Sequence, residues 1–328
     1  MQVKLGLIAT IGAIVAAAVT WSSAASAQNA VVLKGVTPWQ ASYYWSEPFL
    51  IFQRMVNTRL KGKVSVDYLG GAEVIPPNNQ FEAVRNGTID VLLAGASYYA
   101  GEIPESMAGT FSKKAGSELR KTGYFDLMRK IHLEKGNVIY LASIGGEADR
   151  AFRFFIKKKI DKADFTGLKL RVSPIYVDMV KALGGTPVNI APGEVYTALE
   201  RGIIDGVAWS YGGITDFGWQ DQIKFVVEQA FYTGGSSILI NKAVWDRLTP
   251  EVRAELDKIG AELEVESEKF HGAAAKREDA MLRGLGLEFV KFGDADKQKY
   301  LNAAYDQAWK AFVEKNTKYG PDLMKTAQ

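Results

Sequence analysis

The fold is decided by two related segments of the sequence, PNNQFEAVRNGTID at residues 77–90 and PGEVYTALERGIID at residues 192–205. In both, a proline, an aromatic residue, an alanine, an aliphatic residue, a glycine, an isoleucine and an aspartate keep the same spacing. Each segment has the pattern of a helix that ends at a glycine able to adopt a positive φ angle, followed by a buried strand that begins at Ile-Asp. The repetition, about 115 residues apart, predicts two lobes of similar build that each contribute a strand end to a shared cleft. Two unrelated helix–strand units within one sheet are the alternative.

The rest of the chain alternates short apolar runs with longer amphipathic runs, which is typical of an α/β protein. Further strands are predicted at residues 31–36, 64–69, 137–142, 152–156, 167–172 and 287–292. Ser46, Glu47 and Pro48 indicate the start of a helix that reaches about Leu60, with Ser46 as its cap.

Two further helices are predicted near the C-terminus. Thr249 and the proline and glutamate after it indicate a helix that extends to about Arg283, which is long enough to span both lobes. Asp294 is predicted to cap a last amphipathic helix that packs across the back of one lobe. We expect lobe 1 to comprise residues 28–147 with a later segment near 234–260, and lobe 2 to comprise residues 148–233. Residues 261–328 are expected to pack across both lobes.

The first 27 residues have the organisation of a signal peptide. Lys4 precedes an uncharged apolar run over residues 5–20, and residues 25–27 form an Ala-x-Ala cleavage site before Gln28. A membrane anchor is the alternative, but the run is short for a span and no basic stop sequence follows it. We therefore predict export to the periplasm, cleavage after Ala27 and a mature protein that is not embedded in the membrane.

The composition argues against several classes of protein. With 40 basic and 37 acidic side chains, the charge is too even for an electrostatic nucleic-acid binder. The chain has no cysteine, so it forms no disulfide and carries no lipid-anchor cysteine. His132 and His271 lie far apart in the sequence, and the common short catalytic motifs are missing. The sequence therefore favours binding over catalysis and implies no metal and no cofactor.

An arginine is the strongest candidate for a binding residue, because a guanidinium binds a carboxylate through two parallel hydrogen bonds and keeps its charge when buried. Arg171 interrupts the apolar strand LKLRV at residues 168–172, and a helix that reaches Leu183 is predicted directly after it. An anion there would face both a guanidinium and a helix N-terminus. A surface ion pair is the alternative interpretation. Arg150 and Arg153 are further cationic candidates, and their spacing does not choose between them.

Aromatic and hydroxyl side chains follow the strands of both repeats. Ser97 and Tyr98 come after the first Ile-Asp strand, and Trp209 and Tyr211 come after the second. Cleft residues occupy this position in an open α/β sheet. Together with Tyr43 in the aromatic loop after the first strand, these rings favour a ligand with an apolar or aromatic body. Core packing is the alternative for each of them.

Three segments carry a resemblance to a known family. They are FTGLKLRV at residues 165–172, ALGGTPV at residues 182–188 and PGEVYTALERGIIDG at residues 192–206. On these segments the chain resembles the DctP-type solute-binding proteins of tripartite ATP-independent periplasmic (TRAP) transporters. The GGAE stretch at residues 70–73 and the first repeat match the pattern of the N-terminal lobe. The resemblance covers residues 31–315.

The resemblance implies a two-lobed periplasmic binding protein fold, with a ligand cleft between α/β lobes joined by crossing strands and long helices. It implies that Arg171 forms the salt bridge to the ligand carboxylate, that the second family arginine falls nearest Arg150, and that Trp209 and Glu73 belong to the ligand-binding set. Ala208 stands where many relatives carry a glutamate, which argues against a metal ion bound with the ligand.

The function expected from the residues and the resemblance is capture of a small carboxylate by closure of the lobes. The protein would deliver the solute to the small and large membrane subunits of a TRAP permease. Two other functions remain open from the sequence, an exported hydrolase and a ligand-sensing module for a membrane receptor.

Overall fold

The computed structural model describes residues 30–145, 152–211 and 213–328. The predicted signal peptide and Arg150 lie outside these residues. The strands are β1 Val31–Val36, β2 Val64–Gly70, β3 Val91–Gly95, β4 Val138–Ile144, β5 Phe152–Ile156, β6 Lys169–Val172, β7 Thr186–Asn189, β8 Gly206–Ser210, β9 Phe225–Val227, β10 Ser236–Asn241 and β11 Glu288–Val290. The helices are α1 Glu47–Arg59, α2 Pro77–Arg85, α3 Gly116–Leu119, α4 Tyr124–Gly136, α5 Val177–Ala182, α6 Val195–Glu200, α7 Lys242–Arg247, α8 Pro250–Gly284, α9 Asp294–Lys315 and α10 Gly320–Ala327.

The described strands form two sheets, and each sheet is the centre of one lobe. The first lobe has the strand order β2-β1-β3-β10-β4, and the second has the order β11-β9-β5-β8-β6-β7. Strands β1, β2 and β3 are parallel, whereas β10 lies antiparallel between β3 and β4. Because β10 follows strands β5 to β9 of the second lobe in sequence, the chain crosses between the lobes after β4 and again before β10, and α8 then leads back to β11 of the second lobe. The prediction of a two-lobed α/β fold is confirmed.

The two repeats have the same local structure. Gly87 and Gly202 both adopt positive φ angles, of 81° and 69°. One Asp90 carboxylate oxygen accepts a hydrogen bond from the backbone N–H of Lys34 at 2.8 Å, and Asp205 accepts the equivalent bond from Lys169 at 2.9 Å. The repeated aspartate therefore joins each unit to the neighbouring parallel strand of its own sheet. The strands begin one residue after the aspartate, at β3 and β8, so the helix–glycine–strand prediction is confirmed in both copies.

The predicted helix starts are correct in position for α1 and wrong for α9. Ser46 is the N-cap residue of α1, as predicted, but its side chain accepts no bond from the helix and its hydroxyl instead donates to the carbonyl of Trp39 at 3.2 Å. The cap of α9 is Gly293, and Asp294 is the first helical residue. In both cases an acid or hydroxyl lies close to the helix start without bonding its free N–H groups.

Helix α8 is 35 residues long. Its start is as predicted, because the Thr249 hydroxyl accepts a hydrogen bond from the backbone of Val252 at 3.4 Å. Gly260 lies against the carbonyl of Leu141 in β4, where a Cβ atom would be only 2.5 Å from that oxygen. Farther along, Asp279 accepts a hydrogen bond from Tyr211 of the second lobe at 2.5 Å. One continuous helix thus packs on both lobes.

A buried ion pair strengthens the contact between α8 and the first lobe. Arg120 donates two hydrogen bonds to Glu264, at 2.6 and 2.9 Å, and the backbone N–H of Ser143 donates a third at 2.8 Å. The Glu264 side chain is fully buried. A buried carboxylate is tolerated only where such donors surround it. In the described part of the chain, every helix is too short or too polar to span a membrane.

Candidate functional site

A cavity of about 530 Å³ lies between the two lobes. Its wall includes Gly95 at the end of β3 and Trp209 near the end of β8, which are the strand ends of the two repeats. Asn78 in the first turn of α2 and Pro192 in the turn before α6 also line it, so the helix starts of both repeats face the same space. The lining residues are Trp39, Tyr43, Trp45, Asn78, Gly95, Ala96, Ser97, Tyr98, Thr110, Phe152, Arg171, Ser173, Ile175, Tyr176, Asn189, Ile190, Ala191, Pro192, Trp209, Ser210, Gly234 and Gly235.

Arg171 is the cationic side chain among the described residues that line this cavity. It lies in β6, between β7 and β8, and only 5% of its surface is exposed. Its Nε donates to the carbonyl of Ile190 at 3.0 Å, and one terminal nitrogen donates to the Tyr176 hydroxyl at 3.3 Å. The guanidinium carbon lies 5.0 Å from the centre of the Trp209 ring, a cation–π distance. These contacts fix the plane of the guanidinium while leaving its second terminal nitrogen without a bond to the described residues.

Arg171 has no acidic partner in the described residues. The ion pairs found there all join other side chains. Arg120 contrasts with it, because a buried carboxylate lies directly opposite its guanidinium. A buried cation without a counter-charge is costly. The arrangement therefore favours an anion in the cavity, held by the free edge of the guanidinium.

Aromatic rings from both lobes meet at this cavity. The indole N–H of Trp209 donates to the Tyr43 hydroxyl at 3.1 Å, and the indole N–H of Trp45 donates to the Ser210 hydroxyl at 2.9 Å. Burial raises the pKa of Tyr43 far above its usual value, so its hydroxyl stays neutral. The pKa of Tyr98 is also raised by burial. These bonds join the aromatic loop of the first lobe to the end of β8 in the second.

The structure brings five of the predicted site residues to the cavity wall, namely Arg171, Trp209, Ser97, Tyr98 and Tyr43. Ser97 is exposed and Tyr98 is half-buried. Ser97, Tyr98 and Trp209 lie at or just after the end of a repeat strand, Tyr43 lies in the aromatic loop after β1, and Arg171 lies within β6.

Three other candidates lie elsewhere. Tyr211 stacks on Phe155 and donates its hydroxyl to Asp279 of α8, so it is buried behind the wall. Glu73 is exposed and accepts a hydrogen bond from the backbone N–H of Gly71 at 2.7 Å, which lowers the pKa of its carboxyl. Arg153 lies in β5 with its guanidinium 4.2 Å from the centre of the Tyr211 ring, and it does not line the cavity.

Several lining residues were missed by the sequence reasoning. Asn78 could have been found, because it occupies the first turn of the repeat helix and the equivalent turn at Pro192 faces the same cavity. Trp39 and Trp45 share the aromatic loop of Tyr43 and could have been nominated with it, whereas Phe152 reaches the wall through the packing of distant segments. Within the described residues no group of three histidine, cysteine, aspartate or glutamate side chains is arranged to hold a metal ion.

The chain is similar to proteins of known class over most of its length. It is 28% identical over 281 residues to a solute-binding protein of Albidiferax ferrireducens, a match that covers 81% of this chain and 80% of the relative. It is 25% identical over 282 residues to the 2,3-diketo-L-gulonate-binding periplasmic protein of Escherichia coli, covering 84% of each chain.

A solved structure shows the same fold. A TRAP periplasmic solute-binding protein from Desulfovibrio salexigens, crystallised with bound orotic acid, superposes with a TM-score of 0.77 at 19% identity. The match covers 90% of this chain and 96% of that chain. The family model for bacterial extracellular solute-binding protein, family 7 (DctP), matches residues 36–316. The protein therefore belongs to the DctP family, that of the TRAP periplasmic solute-binding proteins.

Proposed function

We propose that the protein captures a small organic acid in the cavity between its lobes, with Arg171 as the anchor of the ligand carboxylate. The observation that carries this proposal is the buried guanidinium, which lines the cavity and has no acidic partner among the described residues. A carboxylate at its free edge would supply the missing counter-charge through charge-assisted hydrogen bonds. The E. coli relative is named for 2,3-diketo-L-gulonate and the D. salexigens structure holds orotic acid; both ligands are carboxylates, in line with this assignment.

The same cavity supports binding over turnover. Ser97, Ser173 and Ser210 line it, but the described lining contains no histidine and no carboxylate that could act as their general base. The Ser210 hydroxyl already accepts the indole N–H of Trp45. We therefore assign a binding role without catalysis, with Trp209, Tyr98, Tyr43 and Ser97 as further ligand contacts.

Closure of the lobes would complete the site and present a joint surface of both lobes to a membrane permease with a small and a large subunit. The mature protein would begin at Gln28 in the periplasm, after cleavage at Ala27. Mass spectrometry of protein secreted from the full-length sequence tests the cleavage site. An intact N-terminal segment on the secreted protein would contradict it.

The binding role is tested by a thermal-shift screen of residues 28–328, stripped of ligand by unfolding and refolding. The panel comprises short 2-oxo and hydroxy acids, dicarboxylates, sugar acids and aromatic acids. A ligand at 100 times its Kd adds about 2.7 kcal/mol to the free energy of unfolding. Arg171→Met should abolish the ligand-induced increase in melting temperature. Arg171→Lys keeps the charge but lacks the two parallel N–H donors of the guanidinium, so it should retain a smaller increase. A panel without any stabilising carboxylate, or a hit unaffected by Arg171→Met, would refute the proposed role of this residue.

A further inference from the structure

The wall of the cavity is unusually aromatic for a site that needs only to hold a small anion. Seven of its lining side chains are aromatic, with Trp39, Tyr43 and Tyr98 in the first lobe and Phe152, Tyr176 and Trp209 in the second among them. The Trp39 ring lies 6.0 Å from that of Tyr43 and 6.1 Å from that of Tyr98, with both pairs inclined. Such inclined clusters leave ring faces and edges available to a planar guest.

Three hydroxyl groups of this wall, on Tyr43, Tyr176 and Ser210, are engaged within the protein. The Tyr43 hydroxyl accepts the indole N–H of Trp209 at 3.1 Å, and the Tyr176 hydroxyl donates to the carbonyl of Ala208 at 2.8 Å. The Ser210 hydroxyl accepts from Trp45. These residues therefore offer a ligand their apolar surface more than their polar atoms. A ligand hydroxyl group placed against the rings of these residues would lose its hydration without gaining a partner there, which is costly.

The charge of the described wall favours a ligand with a single carboxylate. Among the lining residues of the described chain, Arg171 is the only one with a charged side chain. One carboxylate satisfies this cation. A second carboxylate on the same ligand would lose its hydration without gaining a counter-charge from these residues.

The size of the cavity is the last constraint. Its volume of about 530 Å³ falls within the roughly 300–1,000 Å³ that is usual for cavities enclosing small organic ligands. A very small acid would leave most of the aromatic wall without contacts.

From these observations, and resting on the proposed carboxylate-binding function, we infer that the ligand is a monocarboxylic acid with a planar aromatic or unsaturated ring. Its carboxylate contacts Arg171, and its ring packs among Trp39, Tyr98 and the rings of the second lobe. This assignment separates the protein from carriers of dicarboxylates and of sugar acids.

The test is isothermal titration of the ligand-free mature protein with four matched probes. Phenylacetate and cyclohexylacetate share a carboxylate and a ring of similar size but differ in aromaticity. 1,4-Phenylenediacetate adds a second carboxylate to the same ring, and D-glucuronate replaces the ring by a hydroxylated one. We expect phenylacetate to bind about tenfold more tightly than cyclohexylacetate, because aromatic pairs gain energy beyond that of buried area. We expect the diacid and the sugar acid to bind more weakly than phenylacetate.

Two variants locate the preference. Trp39→Leu should reduce the ratio of the two ring affinities toward one, while Phe270→Leu, a ring of α8 outside the cavity wall, should leave it unchanged. Melting temperatures of both variants show whether they are folded.

Each other outcome overturns the inference, and the probes separate it from the proposed function. Tighter, Arg171-dependent binding of glucuronate or of the diacid would refute the aromatic monoacid while leaving carboxylate capture intact. Equal affinity for the two ring acids would likewise refute the aromatic preference alone. Failure of every carboxylate, in this set and in the broader panel, would refute both.

Discussion

Replacing Arg171 by methionine should make the ligand-free protein more stable while it destroys binding. The change removes the charge but keeps an unbranched side chain of comparable reach in β6. In the ligand-free state the guanidinium is 5% exposed and has no carboxylate partner among the described residues. Removing an uncompensated buried charge relieves a desolvation cost of several kcal/mol.

The opposing losses are smaller and comprise a cation–π contact with Trp209, of about 0.5–2 kcal/mol, and two hydrogen bonds. The Tyr176 hydroxyl keeps its bond to the Ala208 carbonyl, and the Ile190 carbonyl belongs to a residue of the cavity wall, where water can replace the lost donor. We therefore expect a net gain of about 1–2 kcal/mol in the free energy of unfolding. For lobes of this size that is an increase of roughly 2–8 °C in Tm. Binding loses two charge-assisted hydrogen bonds of about 1.5–3 kcal/mol each, which raises Kd more than 100-fold.

The assay is denaturant unfolding and thermal melting of wild-type and variant proteins, both stripped of ligand by refolding. Arg171→Lys is the matched control, because it keeps the buried charge and should not gain stability. A methionine variant that is less stable than the wild type by more than about 1 kcal/mol would refute the reasoning. In that case Arg171 would support the fold itself, and its position at the cavity would not identify an anion site.

Three further predictions follow from the packing of the lobes. Arg120→Ala leaves the Glu264 carboxylate buried without its partner, and it should lower the free energy of unfolding, measured with denaturant, by about 3–5 kcal/mol. A loss below about 1 kcal/mol would mean that this ion pair does not stabilise the fold. Gly202→Ala should lower the free energy of unfolding by about 1–2 kcal/mol through the positive φ of this residue alone, because an added Cβ meets no atom within 4 Å. The control is Gly193→Ala, which is equally open but has no positive φ and should be neutral or stabilising. Equal effects of the two substitutions in denaturant unfolding would contradict this account. Burial lowers the pKa of His271 to about 4, so the unfolded chain binds its proton first and stability falls as the pH drops from about 6.5 toward 4. His271→Phe should remove about 2–3 kcal/mol of that acid-induced loss in melts between pH 7 and pH 4.5, and an unchanged pH profile would show that this imidazole does not contribute.

Much of the fold could be predicted because local patterns encode it. The two 14-residue segments carry the helix, the glycine with positive φ and the aspartate that bonds the neighbouring strand, all within one stretch of chain. The start of α8 could be predicted for the same reason, since Thr249 and Pro250 act on the adjacent backbone. Arg171 was recognisable because a charge within an apolar strand needs a specific environment.

The rest of the site depends on contacts that the local sequence does not specify. In an ideal strand, Trp209 and Tyr211 would point to the same side. Because β8 ends at Ser210, that alternation stops, and Tyr211 turns to Asp279 of α8 instead. The arrival of Phe152 at the cavity likewise depends on how the lobes pack, and no spacing within either segment determines it.

The uninterrupted length of α8 restricts how the two lobes can move. A helix of 35 residues extends about 52 Å, and this one packs on β4 near Gly260 and on the second lobe near Asp279. A helix held at two places resists stretching and shear more than it resists bending, and long helices commonly curve gently. Together with the two crossings of the chain after β4 and before β10, this arrangement favours a movement in which the lobes rotate about the crossing segments while α8 bends. Part of the free energy released when a ligand binds and the lobes close would be stored as bending of α8, and this bending energy would be released when the lobes open.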